Sequence, residues 1–107
     1  MTILSVGIGL GYADAGPTHY ATEDYACLRA IGGTSIFTAS DNKIVKEIAE
    51  RVLNNQTVNY VRLDRHPTND LNELSNNYDF EDGFRIFGSY SENKMAIISH
   101  GRILHNC

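Results

Sequence analysis

The sequence has no long hydrophobic segment. Its apolar stretches are only a few residues long, as at 95–98, whereas a helix that crosses a membrane needs roughly 20 such residues. No Lys or Arg precedes Arg29, and Gly7, Gly9 and Gly11 interrupt the apolar start, so the N-terminus does not resemble a signal peptide. These absences predict a soluble, cytoplasmic protein.

Positive charge and cysteine are also scarce. Nine Lys and Arg against 13 Asp and Glu give a net charge of −4, so we expect no basic surface for nucleic acid. The two cysteines are too few and too widely spaced for a disulfide framework or a zinc site. We expect Cys27 to be a small buried residue and Cys107 a terminal thiol in a reducing cytoplasm.

The length limits what the chain can do alone. With 107 residues, it has room for one modest hydrophobic core and not for two domains with a cleft between them. An active site of that kind would need surface from another chain or from further sequence.

Strand and helix patterns alternate over the first 63 residues. β-branched and aromatic residues predict strands at 3–8, 34–38 and 58–63. The segments between the strands have the apolar spacing of helices. This order predicts an α/β fold with right-handed crossovers, in which a partial parallel sheet is flanked by helices.

Capping residues place the ends of the two predicted helices. Thr22 precedes acidic residues that suit a helix start, and the apolar stripe of that helix ends before Gly32 and Gly33. The residues of this apolar stripe are Tyr25, Leu28 and Ile31. The second helix is predicted to begin at a Ser40 or Asp41 cap and to end at 54–55.

The pattern changes after Pro67. Residues 67–82 form a polar, Asn- and Asp-rich connector, and residues 83–107 contain an apolar strand at 95–99 followed by a loop and the first turn of a helix. We therefore expect 1–66 to be the later part of one domain, 67–82 a linker, and 83–107 the truncated start of the next domain.

Glycines follow the first predicted strand, as they do in dinucleotide-binding folds. Gly7, Gly9 and Gly11 do not match that fingerprint, because Tyr12 comes next and no helical pattern begins there. A strand end that another backbone or a ligand approaches closely is the better interpretation.

Two segments carry polar groups to the mouth of the predicted sheet, where open α/β folds bind ligands. Gly16-Pro17-Thr18-His19 is a stiff segment that presents a hydroxyl and an imidazole, although a structural turn with a surface histidine also explains it. Arg62 and Arg65 are three apart and would point to opposite faces of a strand.

Arg65 is the better anion ligand of that pair, since it stands at the predicted strand end and its guanidinium matches phosphate oxygens. A surface ion pair with Asp64 or Asp41 explains Arg65 equally well. His66, His100 and His105 have no metal-ligand spacing and are interpreted as loop residues.

Several of these segments together resemble the pyrimidine-binding domain of the transketolase family. The resemblance is carried by Gly16-Pro17-Thr18-His19, Glu23-Asp24, Leu28-Arg29-Ala30-Ile31, Ala39-Ser40-Asp41 and the strand Tyr60-Val61-Arg62-Leu63-Asp64-Arg65. Residues 95–101 are similar to the strand that opens the family's C-terminal domain. The matches extend over nearly the whole chain.

The resemblance implies part of an enzyme that transfers two-carbon ketol units between sugar phosphates, with thiamine diphosphate and Mg²⁺ as cofactors. His19 would face the substrate channel and hydrogen-bond the sugar, Arg65 would hold the substrate phosphate, and Thr18 and Gly16 would shape the channel. The implied partners are a sugar phosphate, a diphosphate-binding domain or subunit, and further protomers.

The resemblance also implies what the chain lacks. The family's glutamate that protonates the aminopyrimidine lies earlier in the domain, and Glu23 and Asp24 belong to a different motif. No catalytic residue is therefore assigned, the cofactors are expected to be bound mainly by regions absent from this chain, and the isolated chain is expected to be inactive.

The chain departs from the family pattern at a few positions. Asp14 and Ala15 precede the Gly16 motif in the arrangement found in split, two-subunit transketolase-like proteins. Tyr20 replaces a second histidine, while Gly32 and Ala39 replace prolines. The proline replacements reduce backbone rigidity more than they alter chemistry.

Two other functions remain open. 1-Deoxyxylulose-5-phosphate synthase has a similar motif, and its phosphorylated substrate would also suit Arg65. A non-catalytic α/β module used for association is the other alternative, favoured by the polar connector and by an unfinished sheet with an open edge and exposed apolar surface.

Overall fold

The computed structural model describes residues 1–71, Gly83 and 95–107. The described strands are β1 (Thr2–Val6), β2 (Thr34–Thr38) and β3 (Val58–Leu63), and the α-helices are α1 (Asp24–Arg29) and α2 (Asn42–Asn54). Three short 3₁₀ helices lie at Ala13–Ala15, Pro17–His19 and Gly101–Asn106.

The three strands form one parallel sheet in the order β1-β3-β2. Leu4 pairs with Val61 on one side of β3, and Phe37 pairs with Val61 on the other. The predicted α/β class, a small parallel sheet with flanking helices, is confirmed.

The two helices cover opposite faces of the sheet. The chain passes over β3 from β1 to β2 and then returns to β3, so two right-handed crossovers place α1 and α2 on different sides. Side chains of β3 alternate accordingly. Val61 packs with Ile44 and Ile48 of α2, whereas Arg62 contacts Asp24 of α1.

Helix α2 begins as the sequence predicts. The Asp41 carboxylate accepts a hydrogen bond from the backbone N–H of Ile44, at 2.9 Å, and so satisfies one free donor of the first turn. The buried face of α2 is narrow, because Ile44 and Ile48 are buried but Leu53, near the end of the helix, is 84% exposed.

The predicted ends of α1 are wrong. Its N-cap is Glu23, and the Thr22 hydroxyl donates to the Glu23 carboxylate instead of capping the helix. The helix ends at Arg29, before the glycine pair. Ile31 therefore lies beyond the helix, is 56% exposed and does not belong to a buried helical face as predicted.

Cys27 on α1 is exposed rather than buried, because this short helix buries none of its residues. Its thiol is free, as is the exposed thiol of Cys107. The prediction of a small buried residue was therefore wrong for Cys27.

Strand β1 lies at the edge of the sheet among the described strands and carries exposed apolar side chains. Leu4 is 65% exposed and Val6 is 54% exposed. Their partners in β3, Val61 and Leu63, pack against α2, so the exposed side chains of β1 lie on the same face of the sheet as this helix. The expected open edge with apolar surface is present in this part of the chain.

The predicted strand at 95–99 is not a strand. The residues 95–100 have no regular secondary structure, and no described strand pairs with them. Ile98 is 99% exposed. A strand forms only where a neighbour accepts its backbone hydrogen bonds, and apolar composition alone does not provide one. Most of the predicted linker, and the residues 84–94 of the predicted second domain, lie outside the described residues.

The following turn is helical, as expected, but of the 3₁₀ type, at Gly101–Asn106. It includes His105, which the sequence placed in a loop. No helix in the described part of the chain is long and apolar enough to span a membrane.

Candidate functional site

The candidate site lies beyond the carboxyl ends of β1 and β3. The segment after β1 leads to α1 on one face of the sheet. The segment after β3 turns toward the other face, where Thr68 Oγ1 donates to the Ser40 carbonyl and the Leu71 N–H to the Asp41 carboxylate. Neighbouring strands whose connections leave toward opposite faces form the crevice in which open α/β folds bind ligands.

The segment that carries the predicted Thr18 and His19 is a closed surface loop. Gly9 and Ala21 form an isolated antiparallel bridge, with N–O distances of 3.1 and 2.9 Å in the two directions. This bridge brings the two ends of the loop together, and the two 3₁₀ helices at Ala13–Ala15 and Pro17–His19 fill it. Such closed loops are held by their own contacts and are frequently functional.

Gly16 joins the two 3₁₀ helices in a conformation that side chains disfavour. Its φ is 83° and its ψ is −175°, a region that is essentially restricted to glycine. No neighbouring atom lies within 4 Å of where a Cβ would stand. Glycine is therefore required here by the backbone and not by lack of space.

His19 is exposed and its ring is oriented by Thr18. Thr18 Oγ1 and His19 Nδ1 are 3.0 Å apart, at hydrogen-bond distance. With Nδ1 engaged by Thr18, Nε2 is the ring nitrogen that remains for an external partner.

Tyr12 lies between His19 and Arg65. The guanidinium carbon of Arg65 is 4.5 Å from the centroid of the Tyr12 ring, within the range of a cation–π contact. The His19 ring centroid is 6.2 Å from that of Tyr12, with the planes tilted by 50°. No motif or spacing in the sequence indicates a role for Tyr12, the residue that breaks the dinucleotide fingerprint.

Arg65 pairs with Asp14. The distance from Nη1 to the Asp14 carboxylate is 2.7 Å, and the two side chains are 35% and 69% exposed. The hydrogen bond from Arg65 holds the pKa of Asp14 below its ordinary 3.8. The predicted partners Asp64 and Asp41 were wrong. Asp41 instead caps α2, and Asp64 is 3.7 Å from Arg102.

Arg62 and Arg65 were predicted to point to opposite faces of one strand. This does not apply, because β3 ends at Leu63 and Arg65 lies beyond the strand. Arg62 remains within the strand and is nearly buried. The two arginines nevertheless have separate environments and different acidic partners.

Arg62 forms an internal clamp with Asp24 and Tyr60. Its Nε and Nη2 donate to the two Asp24 oxygens at 2.9 and 3.2 Å, and the Tyr60 hydroxyl donates to the same carboxylate at 2.9 Å. Burial raises the pKa of Asp24, but these hydrogen bonds outweigh it and the pKa is lowered. Burial, together with the Asp24 charge, raises the pKa of Tyr60. The clamp joins α1 to the central strand.

The C-terminal residues pack beside the candidate site, on the ends of β2 and β3. The His105 ring donates from Nε2 to the Ser40 carbonyl at 2.9 Å, and His100 stacks on Tyr25 at 6.4 Å. An open depression of about 430 Å³ lies here and is lined by residues that include Arg102 and His105, not by His19 or Arg65.

Within the described residues, no three His, Cys, Asp or Glu side chains form a group that could hold a metal ion. The residues around Arg65 offer a cation, an imidazole and one carboxylate, that of Asp14, which the Arg65 guanidinium already holds. A single paired carboxylate does not make a Mg²⁺ site, so the described part of the chain does not fit the role of a binding site for Mg²⁺.

The fold and the cluster of Tyr12, His19 and Arg65 define an open α/β domain with a candidate anion site beyond the carboxyl ends of its strands. The chain is weakly similar to transketolases: the proteins of Mus musculus and Rattus norvegicus are each 28% identical to it over 98 residues. The similarity covers 91% of this chain but only 15% of each transketolase. No family model matches the chain, and no solved structure does.

Proposed function

We propose that this chain forms the later part of the pyrimidine-binding domain of a transketolase-like enzyme and supplies residues that bind its sugar phosphate substrate. The weak similarity to two mammalian transketolases supports the enzyme class. The observation that carries the site is the placement of Arg65 and His19 around Tyr12, at the edge of the sheet where α/β folds bind ligands.

Arg65 is the proposed phosphate ligand. Its guanidinium is partly exposed, and it already holds one anionic group, the Asp14 carboxylate, at 2.7 Å. A sugar phosphate carries a larger negative charge than a carboxylate, about −1.5 to −2 at pH 7, and its geometry matches two guanidinium N–H groups at once. Binding would therefore exchange one anion for another and leave no buried charge behind.

His19 is the proposed ligand of a sugar hydroxyl. The contact of Nδ1 with Thr18 fixes the imidazole and leaves Nε2 for the substrate. Gly16 permits the turn that places both residues at the surface. Thr18 and Gly16 thus shape the channel without touching the reacting atoms.

The reaction proposed for the complete enzyme is the transfer of two-carbon ketol units between sugar phosphates. Thiamine diphosphate and Mg²⁺ would be bound mainly by a diphosphate-binding domain or subunit, with an assembly of two or more protomers. A 1-deoxyxylulose-5-phosphate synthase would use the same phosphate contact, so Arg65 does not separate the two activities.

The test is a titration of the isotopically labelled chain with ribose 5-phosphate, followed by NMR. We expect a dissociation constant on the order of 1 mM, with shifts concentrated at Arg65, His19 and Asp14. Ribose, which lacks the phosphate, should produce no comparable shifts. Equal responses to the two sugars, or shifts elsewhere on the sheet, would overturn the proposed site.

A further inference from the structure

The Tyr12 side chain contacts both proposed substrate ligands, Arg65 and His19. Its ring lies 4.5 Å from the guanidinium carbon of Arg65 and 6.2 Å, centroid to centroid, from the His19 ring. The first of these residues follows β3, and the second belongs to the loop after β1. A single aromatic ring therefore connects two segments that are distant in the sequence.

Gly7 determines where that ring lies. Its φ is 85°, and a Cβ at this position would overlap the Cδ2 and Cε2 atoms of Tyr12. The Gly7 N–H donates to the Leu63 carbonyl at 2.9 Å, which fixes the glycine against the end of β3. The Tyr12 ring thus lies against the backbone of Gly7, which is hydrogen-bonded to Leu63, two residues before Arg65.

The contact between Tyr12 and Arg65 is compatible with a change of anion. A cation–π contact uses the face of the aromatic ring, whereas the N–H groups that hold a carboxylate or phosphate lie in the plane of the guanidinium. Arg65 can therefore exchange Asp14 for a phosphate without leaving the Tyr12 ring.

We infer that Tyr12 is a positioning residue, which sets the places of Arg65 and His19 for the ligand and does not itself take part in the reaction. This inference rests on the proposed function, because it concerns the residues proposed to bind the sugar phosphate. The property needed is an aromatic face; the hydroxyl of Tyr12 is not required.

The test compares Tyr12→Phe and Tyr12→Leu, with Tyr20→Leu as the control. Tyr12 is half-buried, and Tyr20 is an exposed tyrosine of the same loop. In the ligand-free protein, the Tyr12→Phe variant should keep the ring-current shifts of the Arg65 side chain and the His19 ring, and Tyr12→Leu should lose both. Affinity for ribose 5-phosphate should be kept in the first variant and fall about two- to fivefold in the second. Tyr20→Leu should change neither.

Unchanged Arg65 and His19 resonances in a folded Tyr12→Leu protein would overturn the inference. If the Tyr12→Leu variant does not fold, the wild-type protein is used instead. We expect nuclear Overhauser effects from the Tyr12 ring to both Arg65 and His19, and their absence would overturn the inference. If wild-type protein does not bind ribose 5-phosphate, the proposed function fails, and the ligand-free shifts still decide the role of Tyr12.

Discussion

Arg65 and Asp14 form an ion pair of 2.7 Å between residues 51 positions apart, and the pair joins the segments that follow β1 and β3. Both side chains reach solvent, so an incoming anion competes with Asp14 for the same guanidinium. The pKa of Asp14 is lowered by the hydrogen bond from Arg65, so the competing carboxylate is fully charged at neutral pH.

Removing this competitor should strengthen anion binding. For Asp14→Asn we expect the affinity for ribose 5-phosphate to rise about two- to fivefold, since an exposed ion pair is weak and competes only modestly with the ligand. Asp70→Asn removes the same charge from another exposed position and should leave the affinity nearly unchanged. Equal increases in both variants would mean that overall charge, and not the pair, controls binding.

Gly16 should be required for its backbone conformation. Gly16→Ala is expected to lower the free energy of unfolding by about 1–3 kcal/mol, because its φ of 83° is strained for any residue with a side chain. Gly32→Ala is the control, since Gly32 has open space around it and is not among the positive-φ residues. Urea unfolding measures both, and equal losses would contradict the argument.

The clamp between α1 and β3 predicts a pH dependence of stability. Because hydrogen bonds from Arg62 and Tyr60 outweigh burial, the pKa of Asp24 lies below its ordinary 3.8. The unfolded chain therefore takes up the proton first. The stabilisation is fully present above about pH 4 to 5 and is lost as the pH falls through the lowered pKa of the folded state.

Urea unfolding between pH 5 and pH 3 should show this loss. Tyr60→Phe removes one hydrogen bond to the Asp24 carboxylate and should cost about 1.5–3 kcal/mol at neutral pH, with a smaller further loss on acidification. Tyr20→Phe, on an exposed tyrosine, should stay within about 0.5 kcal/mol of wild type. A Tyr60→Phe protein as stable as wild type would show that the clamp does not hold α1.

The apolar edge of β1 should limit solubility. Leu4 is 65% exposed on an edge strand of the described sheet, and a charge at an edge blocks pairing with another chain. Leu4→Lys should therefore raise the concentration at which the chain stays monomeric, measured by light scattering. Leu53→Lys, at an 84% exposed position on α2, should raise this concentration less. An equal rise in both variants would mean that overall surface hydrophobicity, and not the edge strand, limits solubility.

The isolated chain should not catalyse ketol transfer when it is supplied with thiamine diphosphate, Mg²⁺ and sugar phosphates. The chain spans only 15% of the length of each transketolase that it resembles, and the proposed function assigns it substrate binding only. Measurable turnover by the purified chain, absent from an Arg65→Gln preparation made identically, would contradict this expectation.

Much of the fold follows from local patterns in the sequence. The strands at β2 and β3 and the Asp41 cap of α2 depend on nearby residues, and each lies where it was predicted. The errors at α1 have a local cause as well: a helix of six residues, Asp24–Arg29, buries none of its side chains. An apolar stripe therefore says little about where such a helix ends.

The site was only partly predictable because its contacts join distant segments. Thr18 and His19 are neighbours and could be placed together, and Arg65 lies two residues beyond the end of β3, near the predicted strand end. The ion pair with Asp14 and the ring of Tyr12 depend on how the loop after β1 folds onto the end of β3. No periodicity or spacing in the sequence indicates that this loop contacts the end of β3.

The most direct test of the proposed phosphate contact is the affinity of Arg65→Gln for ribose 5-phosphate, compared with Arg29→Gln, which removes the same charge from the exposed end of α1. We expect about tenfold or more weaker binding for Arg65→Gln, as hydrogen bonds to charged groups contribute roughly 1.5–3 kcal/mol. Arg29→Gln should bind like wild type. Equal affinities in the two variants, with both folded, would contradict the assignment of Arg65 as the phosphate ligand.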